Sequence, residues 1–296
     1  MLTGFSSDRV DLGEVSLHVR RAGQGAPLIL LHGFPQNHRA WGPVMPEFAR
    51  HFDVIVPDLR GYGASDAPPD DSAHRVYSKR RMARDIVALM DHYGLERAHL
   101  LGHDRGARVA YRFALDHPAR IDRLGIIEIL PTADYWRAMD AQLAMAIWHW
   151  PFLAQPAPLP ETLIGARPGW FIDTLMTAWT RQKSLTGFDP QALDSYRAQA
   201  ADPARLGAMC ADYRAGATTD RADDEADLAA GRRIVAPLHL LWAEGGFPAR
   251  AGAPRDAWSR WAETVTDSAC QSGHFVMDEA PGAVLDAFLR HFGALR

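Results

Sequence analysis

Three short apolar runs punctuate the first part of the chain: Pro27 to Leu31, Val54 to Pro57 and Ala98 to Gly102, each followed by turn-forming or polar residues. Such brief runs without polar alternation predict strands buried on both faces, the habit of a parallel sheet. Between the last two, Met82, Ile86, Leu89, Met90 and Tyr93 recur at helical spacing before Gly94. Arg105 to His117 again carries a helical pattern, which Pro118 stops. Leu124 to Leu130 and Pro237 to Trp242 read as two further strands, while the residues separating them show helical periodicity only. This alternation predicts an α/β class chain, a mostly parallel central sheet flanked by helices. An inserted helical cap is expected over 131–236, dividing the core into 1–130 and 237–296.

Composition narrows the class. Among 296 residues, 47% are apolar and 23% charged, the range of an ordinary globular core. The two cysteines, Cys210 and Cys270, stand far apart in the chain, which predicts buried thiols and neither a disulfide framework nor a zinc site. Met1 to Val15 has no apolar leader-like region and no apolar run reaches about 18 residues, so a cytoplasmic location away from membranes is expected. A net charge of -4 offers no broad attraction for nucleic acid. The basic run Lys79-Arg80-Arg81 and the acidic run Asp220 to Asp227 read as solvated surface. Five of the nine tryptophans (Trp136, Trp148, Trp150, Trp170, Trp179) fall in the first half of the cap, where they would either pack it on the core or line a pocket.

The chemistry concentrates at Leu100-Leu-Gly-His-Asp-Arg-Gly-Ala-Arg108, which leaves a strand and opens a helix. Gly102 and Gly106 flank Asp104 in the spacing of a nucleophile elbow, a turn too tight for side chains at the glycine positions. Aspartate in place of serine changes the reaction class. A carboxylate attacks saturated carbon and forms an ester that water must then cleave. Upstream, His32-Gly33-Phe34-Pro35 follows the first buried run, so the backbone N–H groups of Phe34 and Arg105 are the expected oxyanion hole. Downstream, His274 lies in a turn before the final helix and is the expected base. The orienting acid is Glu128 or Glu244, each at a strand end, with Glu128 preferred.

Read with the cap, the chain resembles the fluoroacetate (haloacetate) dehalogenases of the α/β-hydrolase superfamily over nearly its whole length. In that family the Asp-Arg-Gly-Ala-Arg elbow carries the nucleophile and two arginines that clamp the substrate carboxylate, which the resemblance assigns to Asp104, Arg105 and Arg108. It likewise implies a halide site of His149 and Trp150, in Trp-His-Trp-Pro-Phe, and Tyr213, in Ala-Asp-Tyr-Arg-Ala. Their ring N–H and O–H donors suit a small, strongly hydrogen-bonding fluoride. One departure stands out: the family's triad aspartate corresponds to Glu128 here. The resemblance implies hydrolysis of short 2-haloacids without metal or organic cofactor, a small anionic organic substrate as partner, and a homodimer. Two alternatives remain open. An epoxide hydrolase would use the same aspartate with cap tyrosines drawn from Tyr135, Tyr196 and Tyr213, and a small-acid receptor would keep the scaffold with little turnover.

Overall fold

The computed structural model describes residues 4–295. Its strands are β1 (Ser6–Asp11), β2 (Ser16–Ala22), β3 (Pro27–Leu31), β4 (Asp53–Pro57), β5 (Ala98–His103), β6 (Ile121–Ile127), β7 (Leu238–Ala243) and β8 (Val265–Cys270). They form one sheet in the order β1-β2-β4-β3-β5-β6-β7-β8. The β1–β2 and β2–β4 pairs are antiparallel and the remaining pairs parallel.

The inner strands are largely apolar because both faces are covered, their polar residues such as Asp53, His99, Asp122, Arg123 and His239 falling mostly near the strand starts. In β3, Ile29 and Leu31 join a cluster containing Met82, Ile86, Val109 and Phe113, whereas Leu28 and Leu30 join Trp41, Phe48 and Phe288 on the other face. Successive side chains of a strand point to opposite faces, so a strand between two helical layers needs an apolar residue at every position. The first layer is built by the helices Lys79–His92 and Asp104–Asp116, the second by Pro281–His291 with the short turns near Trp41.

Strands β1, β2 and β8 escape the sequence reading for the same reason inverted. β1 and β8 are the edge strands and β2 stands next to β1, where polar or half-exposed residues suffice: β1 buries only Val10, β2 only Leu17 and Val19, and β8 only Cys270. The strand expected at Leu124 to Leu130 instead runs Ile121–Ile127. Its last three expected positions belong to the turn that carries Glu128, whose φ is 59°.

Between β6 and β7 every regular element is helical, from Thr132–Arg137 to Thr219–Ala229. The acidic run is not solvated surface. Asp220, Asp224 and Asp227 are buried, with Asp224 2.9 Å from Arg112 on the core helix, and Asp227 also paired with Arg112. Lys79 is buried too, in an ion pair with Asp212. These opposite charges fasten cap helices to core helices. Both cysteines are buried free thiols, and among the described residues no helix is long and apolar enough to cross a membrane.

Candidate active site

The four residues expected to carry the chemistry meet at the carboxyl edge of the parallel strands, where ligand sites of open α/β sheets lie. Phe34 follows β3, Asp104 follows β5, Glu128 follows β6 and His274 stands four residues beyond β8. Asp104 has a φ of 45°, a left-handed conformation uncommon outside glycine, which turns its carboxylate out of the strand-to-helix bend. Three glycines make that bend fit. A Cβ on Gly33 would come 2.5 Å from Asp104 Cβ, one on Gly102 2.5 Å from Ala107 Cα, and one on Gly106 would overlap the carbonyl oxygens of Leu31 and His32.

Asp104 Oδ2 accepts the Phe34 N–H at 2.9 Å. The Arg105 N–H sits in the first helical turn, where no carbonyl one turn back is available to it, so it is available to the same carboxylate. Burial alone would raise the Asp104 pKa. Attraction to His274 and His103 when they are protonated, and to Arg108 and Arg105, outweighs it and holds the carboxyl below its ordinary value; at neutral pH the two arginines are the charges that remain beside the ionised carboxylate. His274 Nε2 lies 3.9 Å from Asp104 Oδ1. Burial, then the neighbouring His103, push the His274 pKa down to about 3, so the imidazole is neutral and able to accept a proton. Its backbone carbonyl is bonded by His103 Nε2 at 2.8 Å, and its backbone N–H bonds Trp179 O at 2.9 Å. The ring is thus held from two sides through its own main chain.

The expected orienting bond from Glu128 to His274 is not made. Glu128 Oε2 accepts the Ala243 N–H at 2.7 Å and Oε1 the Phe247 N–H at 3.0 Å, while His274 Nδ1 has no hydrogen-bond partner among the described residues. The carboxylate is instead taken up by the backbone at the end of β7 and just beyond it, against Gly246, where a Cβ would overlap it. Burial pushes the Glu128 pKa up to about 8 against the pull of those two N–H bonds. Glu244 is exposed and bonds Gln271, so it takes no part in the site.

Asp104, Arg108, Glu128, His149, Trp150, Tyr213 and His274 line one small cavity, together with Tyr135, Ile129, Ile147, Trp179 and Phe247. His149 is buried with its Nδ1 unpaired and its pKa pushed down to about 3 by desolvation. Burial raises the Tyr213 pKa well above its ordinary value, so the phenol keeps its O–H to donate. The His149 and Trp150 rings stand 5.8 Å and 6.3 Å from that of Tyr213. Arg108 lies 4.6 Å over the Trp150 ring and donates to Leu130 O at 3.1 Å and Thr132 Oγ1 at 2.9 Å, leaving Nε unpaired. Arg105 does not line the cavity. Its guanidinium stacks 4.4 Å over the Tyr213 ring and gives Nε and Nη2 to Asp212, so only Nη1 is left without a partner.

Sequence reasoning missed Asp212, Thr132, Phe247 and His103; it names Tyr135 only for the epoxide alternative and Trp179 only among tryptophans that would pack the cap or line a pocket. Asp212 was legible as the acidic neighbour of Tyr213, and His103 as the residue just before Asp104 inside the elbow; Phe247 and Thr132 carried no signal. Of the five cap tryptophans, Trp150 and Trp179 line the cavity, Trp136 donates to Gly216 O at 3.0 Å, and Trp148 and Trp170 are exposed. A separate group, His18, His38 and Asp58, offers potential metal-ligand atoms within 4.8 Å of one another, but lies outside this cavity. There His18 Nδ1 and His38 Nδ1 face the two Asp58 oxygens at 3.0 Å and 2.9 Å.

Residues 26–165 match the α/β-hydrolase fold family. A fluoroacetate dehalogenase from Burkholderia sp. is 40% identical over 95% of this chain and 91% of its own. The soluble epoxide hydrolase of Corynebacterium sp. (strain C12) is 31% identical over the whole of both chains. A solved structure from Nostoc sp. PCC 7120, described as an α/β hydrolase, superposes with a TM-score of 0.96 at 41% identity, covering both chains entirely. The epoxide hydrolase CorEH superposes at 0.87 with 28% identity over 99% of this chain and 100% of its own. The protein is therefore a hydrolase of the α/β class. Within that class, the chain belongs to the fluoroacetate dehalogenase family, the resemblance its elbow carries.

Proposed function

We propose that the protein hydrolyses short 2-haloacids, fluoroacetate first among them, through an ester on Asp104. The observation that carries this reading is the buried meeting of an ionised Asp104 with two arginines, one lining its cavity and one stacked on its tyrosine wall. Such a site keeps guanidinium N–H donors that a neutral substrate does not need, and an unpaired buried guanidinium N–H wants an anion. Arg108 Nε and Arg105 Nη1 are the donors left for a substrate carboxylate. Asp104 attacks the α-carbon, and the carbon–halogen electron pair leaves with the halide toward His149, Trp150 and Tyr213. Donors aimed at a developing anion in a dry cavity lower the barrier most for the smallest, most basic halide. Water then adds to the Asp104 carbonyl carbon and gives a proton to neutral His274. The Phe34 and Arg105 N–H groups hold the oxyanion; as it collapses, the C–O bond to the substrate breaks, the departing alkoxide takes the proton back from His274 to become glycolate, and the Asp104 carboxyl loses its own proton to water, restoring the carboxylate.

Fluoride release from fluoroacetate by the wild type and by Asp104→Asn is the direct test. Release by the first and none by the second supports the reading; equal release by both removes it. In a single turnover in labelled water, the label enters Asp104 and not glycolate.

A second reading is favoured by Tyr135 and Tyr213 both lining the cavity, since paired phenols protonate the oxygen of an opening epoxide. Diol formation from a small epoxide, without halide release from haloacids, would establish it. Tyr196, the third candidate, is buried outside the cavity lining.

The homodimer is likewise a proposal. Met145, Leu163 and Trp170, all in the cap, are more than half exposed at 77%, 58% and 58%. Sedimentation equilibrium of the wild type against Leu163→Glu/Trp170→Glu tests whether they are covered by a second copy.

A further inference from the structure

Directly behind the cavity, Arg105 is tied into a second layer of charge whose other members take no part in the proposed reaction. Asp212 Oδ1 is paired with both Lys79 Nζ and Arg105 Nη2, its Oδ2 accepts the Tyr62 O–H at 2.8 Å, and its main-chain carbonyl accepts Arg105 Nη2 at 2.6 Å. Lys79 in turn donates its backbone N–H to Asp220 Oδ1 at 2.7 Å, with its ammonium 3.9 Å from Asp220 Oδ2. Lys79, Arg105, Asp212 and Asp220 are all at least 95% buried. Lys79 opens a core helix, Arg105 sits in the elbow helix, and the two aspartates belong to the cap helices Pro203–Ala217 and Thr219–Ala229.

The charges balance: two cations against two carboxylates. Arg105 alone against Asp212 and Asp220 would leave the layer with a net negative charge immediately behind the expected carboxylate clamp, and an anionic substrate would be repelled. Asp212 is needed to fix the guanidinium, since its two-atom grip with the Tyr213 ring below leaves only Nη1 to turn toward a ligand. The holding carboxylate therefore cancels the attraction of the arginine it holds unless another cation compensates.

We propose that Lys79 is that cation, a specificity-determining residue for anionic substrates that never touches them: it lets Asp212 orient Arg105 without spending the positive charge of Arg105. The proposal rests on the haloacid reading only for the identity of the anion. Asp220 then opposes Lys79, so the two residues act on anion affinity with opposite sign. Low dielectric makes such through-space terms large in a buried site, where a single charge several ångströms away changes binding by about tenfold or more.

The test is binding of glycolate, the expected product, to wild type, Lys79→Met, Lys79→Arg and Asp220→Asn, read by tryptophan fluorescence and calorimetry, with glycolamide as the neutral counterpart. Lys79→Met weakens glycolate by about tenfold or more while leaving glycolamide within about twofold. Lys79→Arg restores glycolate binding, and Asp220→Asn, which keeps an acceptor for the Lys79 N–H, tightens it. A merely structural Lys79 would weaken both ligands alike and leave Asp220→Asn no tighter than wild type; either result overturns the proposal. Should Lys79→Met fail to fold, Asp220→Asn still decides by its sign. Failure of the haloacid reading shows separately, as wild type that binds glycolate yet releases no halide.

Discussion

His274 Nε2 stands 3.9 Å from Asp104 Oδ1, near enough to sense its charge and too far for a direct hydrogen bond. That spacing suits a base whose proton comes from a water attacking the Asp104 ester, and not from Asp104 itself, which needs no deprotonation. His274→Gln is accordingly expected to form the ester and stop. Rapid-quench measurement should find a burst of about one halide per active site, followed by turnover slowed about 10²–10⁴-fold, and mass spectrometry should find the glycolyl group on the peptide bearing Asp104. A variant with no burst at all would place His274 in the first step and contradict this order.

Glu128 is expected to matter more to stability than to orienting His274. Glu128→Ala leaves the buried N–H groups of Ala243 and Phe247 without acceptors, a loss of about 1–3 kcal/mol for each. Thermal unfolding should register that loss. Glu128→Asp, with its carboxylate drawn back toward the imidazole, is expected to accelerate ester hydrolysis in pre-steady-state kinetics even if it melts lower; slower hydrolysis would mean that Glu128 already serves His274 during turnover.

Stability should peak near pH 6.5. Burial depresses the pKa values of His149, His274 and His291 to about 3 and of His32 to about 4 from 6.5. Their contribution is complete above 6.5 and is lost as pH falls toward those values, because only the unfolded chain takes up the protons. Glu128 and Asp278 are shifted the other way, from 4.5 and 3.8 to about 8. Their contribution is complete below their ordinary values and is lost as pH rises through 8. Urea-unfolding midpoints measured from acid to mild alkali should trace the two limbs, and Glu128→Ala should flatten the alkaline one.

Two glycines should respond oppositely to alanine. Gly106→Ala places a methyl on the carbonyls of Leu31 and His32 and is expected to yield little folded protein. Gly207, inside the helix Pro203–Ala217, has no atom within 4 Å of an added Cβ. Its alanine variant should gain about 0.5–1 kcal/mol, measurable as a raised Tm with unchanged activity.

The inner sheet was legible because burial on both faces writes an unbroken apolar run, as in Leu28 to Leu31. The end strands β1 and β8 were not, since a strand covered on one side only can be built from residues such as Ser6, Asp8, Thr266 and Ser268. At the site, the elbow was legible because its glycines and Asp104 are fixed by local geometry. Position along the chain pointed to His274, and the resemblance, not periodicity, pointed to His149, Trp150 and Tyr213. What failed was charge read one residue at a time. Lys79 and Asp220 look like surface until the fold brings them against partners distant in sequence, and the same holds for Glu128, whose reach depends on where β7 ends.

The cavity is assembled from two layers: Asp104, Phe34 and His274 stand at the edge of the sheet, whereas His149, Trp150, Trp179 and Tyr213 come from the helices inserted between β6 and β7. The two sets of cavity residues are thus written in different stretches of the chain. Substitutions in the inserted stretch can reshape the cavity while leaving Asp104, Phe34 and His274 in place. A fluoroacetate dehalogenase and a soluble epoxide hydrolase both align with this chain along nearly all of it, the inserted stretch included.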